Sequence, residues 1–176
     1  SYLILNRAWL HSKIVKINLE TYKKCEKKFP KHKFLVMECA KKHGGKMNPH
    51  RTHQNGTSVD YGTPLLKNGK PYHLHNHFGI FHYLMEFDKH GNYSYNKKVK
   101  IDFETMAQHL LMLDEEARKN GLYIKKVIFK INLKDDLYKS KSGKKLKRKK
   151  IYFARKLPKR IDEIHDDHYH VDFGFL

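Results

Sequence analysis

The sequence predicts an α+β fold: a single domain over residues 1–176 with a central antiparallel sheet flanked by helices. Three observations lead there. Phe103, Met106, Ala107, Leu110, Leu111 and Leu113 recur at helical spacing. Short apolar or alternating runs bounded by turn residues stand on either side of that helix and read as strands. No internal repeat and no Pro- or Gly-rich linker divides the 176 residues, a length that can bury one sizeable core.

Taken in order, Asn18 can cap a short helix through Lys28, with Glu20 in its first turn and Pro30 beyond its end. Phe34-Leu35-Val36-Met37 suits a short buried strand. Lys42 to Asn55 is loop-like, because Gly44-Gly45, Asn48-Pro49 and Asn55-Gly56 are turn signals. Thr57 to Tyr61 reads as a strand. Residues 78–87 and 93–101 read as a hairpin around Lys89-His90-Gly91-Asn92. The long helix starts after Asp102, turns Glu115 and Glu116 outward and ends at Gly121. Leu122 to Leu133 favours a strand through its β-branched and aromatic content, and the last strand is Tyr169 to Phe175. Helices and antiparallel strands mixed around one core make the class α+β.

Composition narrows the function. Lys and Arg number 37 against 18 Asp and Glu, a formal net charge of +19, yet 39% hydrophobic and 12% aromatic residues exclude a disordered chain. No apolar run approaches the roughly 18 residues of a membrane span. Cys25 and Cys39 are too few for a disulfide framework or a four-thiolate metal site, although they can form one bridge. The charge is uneven: Leu137 to Ile161 holds twelve basic residues and no acid. Such a segment is a solvated face or an attractor for a polyanion, whether nucleic acid, anionic lipid or a bacterial cell wall. No nucleic-acid motif accompanies it, so no specific nucleic acid is expected as a partner.

The fourteen histidines carry the chemistry. One constellation is His50-Arg51-Thr52-His53-Gln54-Asn55-Gly56-Thr57-Ser58-Val59-Asp60; the other is His165-Asp166-Asp167-His168-Tyr169-His170-Val171-Asp172-Phe173. In an extended strand His168 and His170 point to the same face, about 6–7 Å apart along the chain. Tyr169, Val171 and Phe173 take the opposite, apolar face. One of the two imidazoles can then bind a metal while its neighbour handles protons. His53 lies in a turn just ahead of the strand that carries Asp60, and Gly56 lets the chain fold back. A histidine from a loop, an aspartate from a strand and a histidine from a distant strand can converge. Two imidazoles and a carboxylate suit zinc with the fourth position open to water, the mark of a catalytic site. The common His-Glu-x-x-His signature is absent.

At these residues the chain resembles the penicillin-insensitive murein endopeptidases, within the wider group of lysostaphin-type enzymes, D-Ala-D-Ala metallopeptidases and hedgehog-like domains. The group's pattern, His-x(6)-Asp followed much later by His-x-His, is found as His53…Asp60 and His168-x-His170. The narrower pattern is matched by Gly44, Gly45, Met47, His50, His53, Gln54, Gly56, Val59 and Asp60, and by His165 in His-x-x-His-x-His. The likeness covers residues 33–61 and 161–173; the middle follows only in its helix-then-strand order. The basic insertion around 137–161 and the His73-Leu74-His75-Asn76-His77 run stand outside it.

The resemblance implies a hedgehog/DD-peptidase-like fold and one catalytic Zn2+ held by His53, Asp60 and His170. It makes His168 the base or transition-state stabiliser, and gives His50 and His165 supporting or substrate-contacting roles. It also implies hydrolysis of peptidoglycan cross-links between D-alanine and meso-diaminopimelate, hence a periplasmic or extracellular setting. The chain opens without a secretion-signal pattern, so this setting is read from the chemistry alone. Asp166, Asp167 or a backbone carbonyl would orient the imidazoles from behind. Alternatives are a D,D- or L,D-carboxypeptidase on stem peptides, a zinc-free wall-binding relative, or a nucleic-acid binder driven by charge. His73, His75 and His77 would share one strand face, as a cleft wall or second metal site, or as an ordinary half-solvated strand.

Overall fold

The computed structural model describes residues 6–48, 52–76 and 79–176. Helix α1 (Ser12–Lys28) is followed by strands β1 (Ser58–Gly62), β2 (Leu65–Lys67) and β3 (Lys70–Tyr72). Two 3-10 turns (Leu74–Asn76 and Gly79–Leu84) lead to β4 (Val99–Ile101), α2 (Phe103–Lys119) and β5 (Leu122–Ile128). A third 3-10 turn (Ile131–Leu133) leads into α3 (Lys134–Lys139), α4 (Lys141–Arg148), α5 (Lys159–Glu163) and β6 (His168–Phe175). The mixed class is as expected, but among the described residues the strands divide between two three-stranded antiparallel sheets, β1-β6-β5 and β3-β2-β4, with no barrel. No helix among the described residues is long and apolar enough to cross a membrane.

The β1-β6-β5 sheet positions the chemistry. Val59, Tyr61, Tyr169, Val171 and Phe173 are buried on one face and join Ile14 and Ile17 of α1 and Met106, Leu110 and Leu113 of α2 in one core. Polar anchors fix the helices there: Tyr61 Oη donates to Asn18 Oδ1 (2.8 Å), and Tyr169 Oη meets His109 Nδ1 at 2.8 Å. Ser58, Asp60, His168, His170 and Asp172 occupy the other face by strand alternation.

Several elements depart from the expected reading. Helix α1 begins at Ser12, where His11 Nδ1 accepts from Lys13 N (3.3 Å), so Asn18 is a buried mid-helix residue and not a cap. The strand expected at Phe34–Met37 reduces to one bridge, Val36 to Tyr61. Met37 N donates to Asp60 O while Asp60 N donates to Glu38 O, so two residues face one, a bulge that interrupts the pairing. The first arm of the expected hairpin is the 3-10 turn Gly79–Leu84, which buries His82 and is followed directly by the buried Met85. Its turn survives, with Phe87 bridged to Tyr93 and Asp88 Oδ1 accepting from the His90 and Asn92 amides. The second arm is a strand only at β4, which pairs with β2.

Strand β5 stops at Ile128, five residues short of Leu133. Glu116 is turned inward to Lys24 of α1 (2.6 Å), whereas Glu115 stays half exposed. The His73–His77 run is not a strand: Leu74–Asn76 is a 3-10 turn, His73 Nε2 donates to Lys31 O (2.8 Å), and His75 sits between Tyr72 and Tyr93. His77 lies outside the described residues.

Candidate metal centre

Strand β1 meets β6 with Ser58 opposite Asp172, Asp60 opposite His170 and Gly62 opposite His168. The inter-strand bonds Phe173 N to Thr57 O and Thr63 N to Asp167 O place the hydrogen-bonded pairs at the odd positions of β1. Asp60 and His170 are therefore a non-hydrogen-bonded pair, the kind whose Cα atoms approach to about 4.5 Å with side chains close together. Asp60 spends its backbone N–H and C=O on the Met37–Glu38 bulge instead. The result is a 2.7 Å approach of Asp60 Oδ1 to His170 Nδ1.

His53 completes the group from its turn. Gly45 N donates to Gln54 O, His11 N donates to Gly56 O, and Asn55 Oδ1 accepts from the amide and hydroxyl of Thr57. Gly56 has φ +76°, and a Cβ there would stand 2.5 Å from His11 N, so only glycine fits this turn. His53 Nε2 lies 3.2 Å from Asp60 Oδ1 and 2.9 Å from His170 Nδ1. All three side chains are buried, and their donor atoms lie within 4.8 Å of one another.

The donor set fits a metal. With bonds of about 2.0–2.1 Å, the edges of a tetrahedron around zinc are about 3.3 Å. The observed edges of 2.7, 2.9 and 3.2 Å are a slightly contracted version of that triangle. The electrostatics also call for a cation. Burial pushes Asp60 toward the neutral acid, but hydrogen bonds from His170 and His53 hold it well below the usual carboxylate range. Burial likewise disfavours charge on His170, yet Asp172 and Asp60 on either side lift it to about 9. Two carboxylates around one imidazole demand positive charge, which a proton or a metal ion can supply. Among the described residues, no second group of three such donors converges.

Behind His170 stands a support that sequence reasoning missed. His170 Nε2 donates to Asp172 Oδ1 (2.7 Å), which also accepts from Ser58 Oγ (2.7 Å), while Lys126 Nζ lies 3.0 Å from Asp172 Oδ2. Thr52 Oγ1 is a further neighbour of Nε2 at 3.2 Å. With Nε2 so engaged, loss of the Nδ1 proton to an incoming metal ion would leave the Nδ1 lone pair facing His53 and Asp60, and a carboxylate behind the ring is the support typical of metal-binding histidines. The signal was available: Asp172 is two residues beyond His170 and shares its face.

His168 occupies the same sheet face one pleat away. Its Nδ1 contacts Asp167 Oδ1, the Tyr83 ring meets it edge-on at 5.1 Å, and the His165 ring lies 4.6 Å away. Burial favours the neutral imidazole, but the Asp167 carboxylate overrides it and raises His168 above the ordinary histidine value. Asp167 is itself pushed up by burial. Its backbone carbonyl is held by Thr63 N, Thr63 Oγ1 and His82 Nε2, at 2.9, 2.8 and 2.8 Å.

The opposition of Gly62 to His168 leaves room for the His82 ring, whose Nε2 a Cβ on Gly62 would approach to 3.1 Å. His165 donates from Nδ1 to Ile161 O (2.6 Å), and burial lowers it to about 3, so it is neutral with Nε2 as an acceptor. Asp166 turns away, accepting from Phe87 N (3.0 Å) and Lys130 Nζ (2.9 Å). Of the two aspartates expected behind the imidazoles, only Asp167 meets one, and a backbone carbonyl serves His165. His50 lies outside the described residues. The structure thus brings His53, Asp60 and His170 together, with His168 and His165 alongside. No protein-family model matches the chain, and no curated protein matches it.

Proposed function

We propose that this protein is a zinc metalloendopeptidase that hydrolyses peptide cross-links of bacterial peptidoglycan, of the D-Ala–meso-diaminopimelate type, in the periplasm or outside the cell. One observation carries the reading: His53 Nε2, Asp60 Oδ1 and His170 Nδ1 form a buried triangle, with His168, bonded to Asp167, on the same sheet face. The donor chemistry, two imidazoles and one carboxylate, favours zinc over harder ions. The peptidoglycan substrate rests on the motif resemblance.

A zinc ion bound to this triangle supplies Lewis acidity toward water and the scissile carbonyl. The remaining work belongs to the chain. Asp167 fixes the His168 ring through Nδ1, leaving Nε2 to exchange protons with the reacting groups. His168 takes the proton of the attacking water and delivers it to the leaving amine; as an imidazolium it also steadies negative charge on the carbonyl oxygen. The neutral His165 ring packs against His168 without adding a competing charge. Asp172 holds His170 in one tautomer. The Tyr83 ring packs edge-on against His168, and the buried His82 steadies the Asp167 backbone beside it.

The test is mass spectrometry of muropeptides from cross-linked peptidoglycan incubated with the protein, with and without a zinc chelator. Dimers converted to monomers only without chelator are expected. Intact dimers with trimmed stems would replace this reading with a carboxypeptidase. Unchanged muropeptides from zinc-loaded protein would remove the peptidoglycan substrate.

A further inference from the structure

The basic segment is not a loose loop. Leu137, Leu146 and Phe153 are buried in the core, and Val127 of β5 donates to Tyr152 O and accepts from Ala154 N. Helix α4 is pinned to α2 through Ser142, whose amide donates to Glu104 Oε2 (2.8 Å) and whose hydroxyl contacts Gln108. Gly143 packs so tightly that no side chain fits, and Leu146 is buried one turn on. With Ser142, Gly143 and Leu146 inward, Lys141, Lys144, Lys145, Lys147 and Arg148 all face solvent, continued by Lys149 and Lys150.

These seven cations are not neutralised by the fold. Some lysines elsewhere pair with acids, among them Lys24 with Glu116, Lys126 with Asp172, Lys130 with Asp166 and neighbouring Lys139 with Asp136; the seven here are set apart by standing together on one short segment. Among the described residues, none of the seven has a carboxylate within ion-pair distance; Lys147 instead lies 5.5 Å from the Tyr138 ring centroid. The α4 carbonyl end favours cations in its last turn. It does not account for Lys141 at the start of the helix or for Lys149 and Lys150 beyond it. A rigid, unpaired array of one sign produces a field suited to a polyanion.

We infer that the outward face of α4 is a docking surface for the anionic peptidoglycan polymer, separate from the hydrolytic centre. The inference rests on the proposed function for its choice of polymer. Its separation comes from the layers: α4 packs on α2, α2 packs on the apolar face of the β1-β6-β5 sheet, and His53, Asp60 and His170 gather on the opposite face. Side-chain type favours a carboxylate-bearing, mobile polymer over nucleic acid. Six of the seven cations are lysines, compact charges on flexible stems, and only Arg148 offers the planar fork that grips phosphate.

A surface of this kind raises local enzyme concentration on an insoluble substrate without touching the reacting atoms. The experiment compares the zinc-loaded full chain with a K144E/K145E/K147E/R148E variant, whose changed side chains are all exposed. Co-sedimentation with purified sacculi should fall on the order of tenfold or more, and raised salt should release the unaltered protein similarly. Turnover of a soluble cross-linked muropeptide dimer should stay within about twofold, because the metal face is unchanged. A K144Q/K145Q/K147Q/R148Q variant should fall between the two in sedimentation. Sedimentation equal in all three proteins overturns the inference, as does a preference for duplex DNA over sacculi in direct competition. If sacculi are bound through this face but no muropeptide is cut, the hydrolytic reading fails while the docking surface stands.

Discussion

Replacing Asp172 by Asn isolates the support behind the candidate metal ligand His170. The carboxylate accepts from His170 Nε2 at 2.7 Å and is itself held by Ser58 Oγ at 2.7 Å and Lys126 Nζ at 3.0 Å. The amide keeps the shape and removes the charge. A hydrogen bond to a charged group contributes about 1.5–3 kcal/mol and a neutral one about 0.5–1.5, so the substitution weakens this contact by about 1–1.5 kcal/mol. That loss falls on the basicity and orientation of Nδ1, and at about 1.4 kcal/mol per decade it weakens zinc binding roughly tenfold. Asp172→Ala should lose up to about a hundredfold, leaving only Thr52 Oγ1 near Nε2. Zinc affinity measured by competition with a chromophoric chelator reads both effects, with circular dichroism confirming the fold. A folded Asp172→Asn protein that binds zinc as tightly as the unaltered chain would refute the assignment of His170 Nδ1 as a ligand atom.

Three further expectations follow from other parts of the molecule. His168→Ala should retain zinc but lose about 10²–10⁴-fold in muropeptide turnover, whereas His170→Ala should lose zinc as well; full turnover in His168→Ala would exclude it as the proton carrier. His109 is enclosed by Tyr22, Phe34, Tyr61 and Tyr169, and burial lowers it to about 3. Below pH 6.5 the unfolded chain therefore binds a proton that the native one refuses, and stability falls as pH falls toward 3. Between pH 7 and 5 this amounts to about 2 kcal/mol. Denaturant unfolding at both pH values should show that much less pH dependence in His109→Phe, and parallel curves would contradict it. Gly143→Ala would place a Cβ 1.7 Å from Leu137 O, a backbone atom that cannot swing aside. It should lower stability by about 2 kcal/mol or more, and an unchanged melting temperature would show that the α3–α4 junction is not packed as described.

The candidate centre was legible to the extent that it depends on strand alternation. Period two puts His168 and His170 on one face of β6 and the apolar Tyr169, Val171 and Phe173 on the other, and the burial agrees. The same rule points to Asp172, which escaped notice because a carboxylate near the end of a strand is usually solvated. The long helix was legible from its apolar period and its end signal, and the structure places it at Phe103–Lys119. The 3-10 turn Gly79–Leu84 was not, because a short aromatic-rich run looks the same whether it repeats every two residues or every three. Helix α4 was hidden by its charge: one buried leucine, a serine and a glycine are too few to mark an apolar face.

By itself, then, the sequence determined which side chains have the chemistry for a metal, which neighbours share a strand face, and where an unbalanced positive charge is concentrated. Those properties are local, set by residue type and by the geometry of one strand or one helix. Tertiary structure alone decided that Asp60 lies opposite His170 in a close, non-hydrogen-bonded pair, since register depends on how two distant strands align. It decided that the Met37–Glu38 bulge takes up the Asp60 backbone and that His53 arrives from its turn to close the triangle. It also decided that α4 stands on the far side of α2 from that triangle. Each depends on contacts between residues far apart in the chain, which no local period encodes.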